Sequence, residues 1–294
     1  MEDELWRILY PLIQEQDNRR FRKKGVVFSD ARILGVFFWA VLHDRPILWA
    51  TRPANWPQEQ RWRSLPSAST MSRRLRTLSL VTLLTQVWLR MVGQAKPSLV
   101  RMIDAKPLPV GGFSKDLDTR WGQAADAKAK GYKLFSIWSR GAAVPEQWRL
   151  GSMNFCEPIV AMSMIPTLRG GGYLLGDSLY DTNPLHTLCA GHGLQLVAPR
   201  KKPGTQLGHQ AHHPSRLRAI ELLEPGAATP GGFGPSLYAI RTSIERHFGH
   251  LGNFGGGLSP LPNWVRRPHR VVLWVAAKLV LNGLRISRNQ GVSI

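Results

Sequence analysis

The spacing of apolar residues changes once along this chain, close to residue 96, and the change divides the sequence into two segments. Before it, apolar residues recur every three or four positions, which is typical of helices that bury one face. Helices are predicted over residues 2–15, 30–42, 69–78 and 81–92. Residues 45–66 interrupt them with four prolines and three tryptophans and are predicted to form an ordered loop. An all-helical domain over residues 1–96 follows.

Beyond residue 96 the pattern becomes that of an α/β domain. Strands are predicted over residues 99–110, 132–139 and 147–153, a helix over 156–168, and a strand, a helix and a strand over 170–177, 183–190 and 194–198. Three antiparallel strands followed by strand, helix and strand is the order of the ribonuclease-H-like fold, a mixed five-stranded sheet flanked by helices. We therefore predict this α/β fold for residues 97–294.

The rest of the second segment holds an insertion and two helices. Residues 199–235 are rich in Gly, Pro, His and basic residues and are predicted to form an inserted or mobile loop. His209, His212 and His213 occur there within Gly-His-Gln-Ala-His-His-Pro, a stretch predicted to be a loop and not the helix on which a zinc protease places its histidines, so no zinc site is predicted. Helices are predicted over 236–251 and 268–286, the last packing on the α/β core.

The charge of the chain points to a polyanionic partner. There are 39 Lys and Arg residues against 19 Asp and Glu, a formal charge of +20. A basic surface also serves solubility alone, so charge by itself specifies no activity. The apolar runs at 33–42 and 271–284 are shorter than the ~20 residues that a membrane span needs. The amino terminus lacks the features of a secretory signal. We predict a cytoplasmic protein that binds nucleic acid and no membrane.

Two predicted strands carry or run into an aspartate. Asp104 follows Val-Arg-Met-Ile, and Asp177 follows Tyr-Leu-Leu-Gly. A buried ionised carboxylate is costly unless a cation or hydrogen bonds compensate it. Lys106, on the same face as Asp104, offers a plain ion pair. The alternative is a site for two divalent metal ions, roughly 4 Å apart, that cut and join phosphodiesters.

A third acid lies in the helix predicted over 236–251. Tyr238, Arg241 and Glu245 follow at spacings of three and four, which brings them to one helical stripe. A plain pair of Arg241 with Glu245 would contribute only about 0.2–0.5 kcal/mol. An arginine beside a metal-binding acid can instead hold a DNA phosphate.

Four blocks of this sequence, in order, resemble those of DDE transposases of bacterial insertion sequences. They are Ile-Asp104-Ala-Lys-Pro-Leu, Lys-Gly-Tyr-Lys-Leu-Phe at 130–135, Leu-Gly-Asp177-Ser-Leu-Tyr-Asp181-Thr-Asn and Arg241-Thr-Ser-Ile-Glu245-Arg-His-Phe. Each block is weakly specific, whereas the ordered set is strongly specific. The resemblance covers about residues 99–251, and residues 65–78 are similar to the amino-terminal region of the family.

The resemblance implies a catalytic domain in which Asp104, Asp177 and Glu245 are the catalytic metal ligands. The metal would be Mg²⁺, for which Mn²⁺ may substitute. It also implies a Tyr-x2-Arg-x3-Glu-x6-Lys signature, but its final position is Gly252 here. The phosphate contact of that lysine is therefore either absent or supplied by another residue such as Arg246 or His250. Leu179 likewise replaces the glycine usual near the second acid.

A helix-turn-helix-like segment is predicted in the first domain. Ser67 or a neighbouring Ser or Thr offers an N-cap to a short basic helix that follows another helix, as in proteins that read a major groove. The alternative is the solvated face of an ordinary helical hairpin. The residues predicted to contact DNA are Tyr238, Arg241, Arg246, Lys106, Lys130, Arg73, Arg74 and Arg76.

The predicted function is that of a DNA transposase. It would bind the terminal inverted repeats of an insertion sequence, cleave the strands and transfer them to target DNA, working as a homodimer on double-stranded DNA near the bacterial nucleoid. Two alternatives stay open: a noncatalytic DNA-binding protein derived from a transposase, and a nuclease on the same fold.

Overall fold

The structure is a computed structural model that describes residues 2–20, 25–60, 62–95, 98–124, 127–203, 205–207, 211–224, 232–253, 257–258 and 260–291. Its residues group into two compact units. The first unit comprises residues 1–95, 251–258 and 262–294, and the second comprises 96–250 and 259–261. Two residues at the predicted joint, 96 and 97, lie outside the described ones, as do His209 and most of the predicted loop after residue 224.

The helices and strands follow the chain in this order. The helices are α1 (Glu2–Asn18), α2 (Asp30–Leu42), α3 (Ile47–Ala50), α4 (Ala68–Arg74), α5 (Leu78–Val92), α6 (Glu157–Met164), α7 (Asn183–Gly191), α8 (Pro214–Leu223), α9 (Phe233–Ala239), α10 (Thr242–Asn253) and α11 (Pro268–Asn289). The strands are β1 (Val100–Pro109), β2 (Arg120–Gln123), β3 (Lys128–Ser139), β4 (Gln147–Ser152), β5 (Gly172–Leu175) and β6 (Leu194–Val197).

The first unit is helical and is built around α2. Every residue of α2 from Ile33 to Leu42 is buried, which is the pattern of a helix packed on all sides. The segment over 45–66 is ordered, as predicted: Trp39 and Trp56 stack with their ring centroids 4.6 Å apart. The Trp56 indole nitrogen donates to the Ala50 carbonyl at 2.8 Å, so the loop buries both aromatic surface and polar groups.

The carboxy-terminal helix belongs to this helical unit, so the prediction that it packs on the α/β core is wrong. Helix α11 contacts α1, α2 and α5. It holds a buried lysine, Lys278, whose ammonium group donates to Asp44 at 2.5 Å. Asp44 follows the end of α2, and this ion pair is a partner that the apolar pattern of α11 does not predict. No described helix is long and apolar enough to cross a membrane.

The second unit contains the predicted mixed sheet. The strand order is β2-β3-β1-β5-β6, with β4 also paired to β3. Strand β3 pairs antiparallel with β1, β2 and β4, whereas β1 pairs parallel with β5 and β5 with β6. The predicted α/β, ribonuclease-H-like fold class is therefore confirmed, including the helical amino-terminal region. The edge strand β2 is an addition to the prediction.

The two faces of β1 have different partners. Ile103 points into an apolar cluster that also contains Phe135, Leu174 and Leu185. Because side chains alternate along a strand, Met102, Asp104 and Lys106 point to the other face. There the Ser243 hydroxyl lies 3.6 Å from the Met102 sulfur, so α10 covers this face.

Two predictions about the later helices are wrong in part. Helix α8 lies within the predicted inserted loop and is held to β6 by a hydrogen bond from Gln195 Nε2 to the Ser215 carbonyl, 2.8 Å long. The single helix predicted over 236–251 is two helices, α9 and α10. The break follows from the hydroxyls of Thr242 and Ser243, which donate to the carbonyls of Ala239 and Ile240 at 2.9 and 2.7 Å.

Candidate active site

The parallel register of β1 and β5 brings Asp104 and Asp177 together. Met102 lies opposite Leu175, and each aspartate follows its strand residue by two positions. Both aspartates, with Glu157 and Lys133, line one cleft of about 770 Å³ at this end of the sheet. The carboxyl ends of parallel strands are where α/β folds place ligand sites.

Asp104 is much more buried than Glu245. Its side chain is 17% exposed, its Oδ1 accepts from the Ala105 amide at 2.8 Å, and its Oδ2 accepts from Arg241 at 3.2 Å. Burial raises the pKa of Asp104 to about 6, while the Ala105 amide and Arg241 oppose that rise and Asp177 and Glu157 add to it. The charged carboxylate is thus disfavoured by its surroundings, and a further cation would favour it.

The turn after β5 fixes the position of the Asp177 carboxylate by a hydrogen bond within the turn itself. Its Oδ1 accepts from the Leu179 amide at 2.8 Å and caps a 3₁₀ turn over Ser178–Tyr180. Gly176 is required before it, because a Cβ at that position would lie 2.9 Å from the Tyr180 ring. The Tyr180 hydroxyl donates to Glu157 at 3.0 Å, which ties the turn to α6.

Asp181 anchors the same turn to the insertion. Arg216 of α8 donates to both oxygens of Asp181 at 2.7 Å, and His186 Nε2 lies 3.3 Å from Oδ1. Burial would raise the pKa of Asp181, but the hydrogen bonds and charges of Arg216 and His186 outweigh it and lower the pKa to about 2. A bidentate pair this buried holds its two elements in a fixed arrangement.

Two histidines of the insertion, His212 and His213, support the helix that carries Arg216. His212 Nδ1 lies 2.8 Å from Arg216 Nη1, and His213 Nδ1 accepts from the Ser215 amide at 3.1 Å, capping α8. Both Nδ1 atoms are therefore occupied by protein groups. The third histidine of the predicted cluster, His209, lies outside the described residues.

The third acid is linked to Asp104 through Arg241. The Arg241 guanidinium donates to Asp104 at 3.2 Å and to Glu245 at 3.4 Å, so it lies between the first and third acids. Its Nε is buried without a hydrogen-bond partner within the described part of the chain. The Tyr238 hydroxyl donates to the Gly176 carbonyl at 3.2 Å, beside Asp177. Glu245 itself is 64% exposed.

Oxygen donors of this kind suit a hard divalent cation. Asp104 and Asp177 share the cleft, and the raised pKa of Asp104 shows a carboxylate whose charge is under-compensated. Among the described residues, no three His, Cys, Asp or Glu side chains stand close enough to hold one ion together. Arg241 occupies the position between Asp104 and Glu245 instead. The donor set fits a metal in its chemistry, with Arg241 as the group that a metal would compete with.

The structure gives the predicted DNA-contacting residues different surroundings. Arg246, Arg73 and Arg76 are exposed. Lys106 lies against the Phe248 ring, its Nζ 5.9 Å from the centroid, and burial lowers its pKa. The Lys130 ammonium donates to the Ser114 carbonyl at 2.6 Å. Arg74 is committed to the fold, since it donates to Asp30 at 2.6 Å and to the Phe28 carbonyl at 3.0 Å.

Two residues at the candidate site were not predicted from the sequence. Glu157 lines the cleft together with Asp104 and Asp177, and is held by the Lys133 ammonium at 3.0 Å and by Tyr180. Arg216 stabilises the turn that carries Asp177 through Asp181. The position of Asp181 within the third sequence block was the available signal for this anchor, whereas its partner Arg216 is 35 residues away.

Comparison with known proteins identifies the family. Residues 95–279 match the model of the transposase DDE domain. The chain is also similar to the piggyBac transposase in a cryo-EM structure of its synaptic complex with hairpin DNA, at 12% identity and a TM-score of 0.46, covering all of this chain and 77% of that one. That likeness is too distant to carry an argument about the site. No curated protein matches in sequence. On the match over residues 95–279, the chain belongs to the transposase DDE domain family.

Proposed function

We propose that this transposase binds the ends of an insertion sequence, cleaves the DNA strands there and transfers them to target DNA. The observation that carries the proposal is the meeting of Asp104 and Asp177 at one cleft, with Glu245 joined to Asp104 through Arg241. Three of the four matching sequence blocks supply these acids, in a chain with a formal charge of +20.

We assign Asp104, Asp177 and Glu245 as the residues that would hold divalent metal, Mg²⁺ or Mn²⁺. When bound, the metal would favour deprotonation of water or a 3′-hydroxyl and stabilise the leaving oxygen. The protein supplies the fixed positions of the acids. The Leu179 amide orients Asp177 and the Ala105 amide orients Asp104, so little rearrangement of these carboxylates is needed.

In this proposal Arg241 pairs either with the acids Asp104 and Glu245 or with a DNA phosphate. In the structure it neutralises Asp104 and Glu245, and its Nε donor is left unpaired at a cost of about 1–3 kcal/mol. With metal held by the acids, the Arg241 guanidinium would be free to hold a DNA phosphate near Asp104. Arg246, one residue after Glu245 and exposed, would take the phosphate contact that Gly252 cannot provide.

Binding of the DNA ends is assigned to the helical unit, with synapsis by a homodimer on double-stranded DNA in the bacterial cytoplasm. Helix α4 offers Arg73 on its exposed side, with Arg76 just beyond its end. Ser67 caps α4 by accepting from the Thr70 amide at 3.2 Å, which fixes where the helix begins.

The two arginines of α4 are expected to behave differently on substitution. Arg73→Ala should weaken binding of duplex DNA and make it less salt-dependent, because an exposed phosphate contact releases counterions. Arg74→Ala should instead destabilise the fold, because it breaks the partly buried pair with Asp30. Filter binding across salt concentrations and thermal unfolding separate the effects. Unchanged affinity and salt slope for Arg73→Ala would remove α4 from the interface.

The direct test of the function uses a labelled duplex that carries the element's own end, incubated with Mg²⁺ or with EDTA. Metal-dependent joined products are expected. Nicks without joining would favour a nuclease on the same fold, and tight binding without nicks would favour a DNA-binding protein derived from a transposase.

A further inference from the structure

The helical unit has a concave surface that α4 alone does not account for. One side of the concavity is formed by Ser72, Leu75 and Arg76 of α4 and the turn after it. The other is formed by Trp264 and by Arg270 in the first turn of α11, which is nearly 200 residues further along the chain. The enclosed volume is about 290 Å³. We call this concavity the α4–α11 surface.

The two segments that carry Arg76 and Arg270 contain no acidic residue. From residue 60 to 103 the sequence has eight Lys or Arg and no Asp or Glu, and from 246 to the end it has seven and none. Arg76 and Arg270 are exposed. Neither guanidinium is in an ion pair with a carboxylate among the described residues. Arg270 lies in the first turn of α11, where the helix dipole disfavours a cation. A bound anion would therefore offset both the charge of the Arg270 guanidinium and its unfavourable interaction with the helix dipole.

Large apolar side chains lie exposed between these cations. Trp264 is 41% exposed and Leu48 is 52% exposed, both on the surface lining. The Trp264 ring is held edge-on against the buried Trp274, with ring centroids 6.4 Å apart. A fixed aromatic ring on the same concavity as Arg76 and Arg270 offers contact area for a sugar, and the two arginines offer charge for phosphates.

We propose that the α4–α11 surface binds the sugar–phosphate backbone of duplex DNA, flanking the groove that α4 enters. Arg76 and Arg270 would contact phosphates and Trp264 would pack on a deoxyribose. The inference rests on the proposed function and extends it, because it adds the start of α11 to the DNA-binding surface. Contacts of this kind set the position of a protein on DNA and are independent of base sequence.

The test measures duplex binding by the full chain as a function of salt. Arg270→Ala should lower the magnitude of the slope of log K against log[salt] by about 1, and Arg76→Ala with Arg270→Ala by about 2, equally for end and unrelated sequences. Trp264→Ala should lower affinity at every salt concentration and leave the slope unchanged, because a neutral side chain releases no counterion. Trp264→Phe should retain most of the affinity.

The matched control is Arg90→Ala, which removes the same charge from α5 in the same unit but away from the α4–α11 surface; its slope should equal that of the wild type. Wild-type affinity and slope in Arg270→Ala and in the double variant would overturn the proposal, as would a loss of self-association in sedimentation velocity without a change in DNA binding. A wild-type chain that binds no duplex would overturn the proposed function itself.

Discussion

Asp104→Asn is expected to reduce metal-dependent cleavage by about 10³-fold or more, since a loss of ~4 kcal/mol of transition-state stabilisation corresponds to three decades of rate. The substitution keeps the shape of the side chain and an oxygen that can accept from the Ala105 amide. It removes the charge that would hold metal under the proposed function. DNA binding should persist, because Asp104 is negatively charged and does not attract the DNA phosphates.

The melting temperature of the same variant shows whether it is folded. Burial raises the pKa of Asp104, so the charged carboxylate is disfavoured in the folded protein and a neutral side chain should leave the melting temperature equal or higher at neutral pH. Asp118→Asn, the same chemical change at an exposed position of the second unit outside the cleft, should cleave like the wild type. Full cleavage by Asp104→Asn would refute the assignment of the first acid.

Glu245→Gln completes this test, because Glu245 touches the described site only through Arg241. If it is the third ligand, cleavage should fall to the level of Asp104→Asn while DNA binding stays close to that of the wild type. Normal cleavage would remove Glu245 from the site and leave its pair with Arg241 as a helix contact.

Arg216→Ala is the second large effect that we expect, and it acts at a distance from the cleft. The substitution leaves Asp181 charged and 2% exposed, and breaking a buried pair of this kind costs about 3 kcal/mol of folding free energy. Because Asp181 ends the turn that starts at Asp177, the second acid should also lose its fixed position. Cleavage should then need more metal to reach half of its maximal rate.

Two variants separate positioning from stability in that experiment. Arg218→Ala removes an exposed arginine two residues further along α8 and should change neither the free energy of unfolding nor the metal dependence. Arg216→Lys keeps the charge but not the paired hydrogen bonds, so it should recover part of both. If folded Arg216→Ala showed the metal dependence of Arg218→Ala, then Arg216 would be a purely structural residue.

The site was largely predictable where local pattern and chemistry coincide. Asp104 and Asp177 stand out because a strand rarely leads into a charge without a compensating partner, and the strand periodicity of β1 and β5 is clear. Glu157 gave no such signal, since an acid in the first turn of a helix is common for reasons of the helix dipole alone. Its role in the cleft depends on Lys133 and Tyr180, which come from other elements.

The sequence by itself determined the division near residue 96, the order of strands and helices in the α/β unit, and the identity of the acids in the matching blocks. Periodicity and composition are local properties, and these conclusions need nothing more. Tertiary structure alone decided that α11 joins the helical unit, that α8 anchors Asp181 and that Arg74 belongs to the fold. Each of these depends on which partner a side chain meets across a long stretch of chain, and an apolar stripe or a lone charge is compatible with many partners. Only the closed packing of the whole chain selects one.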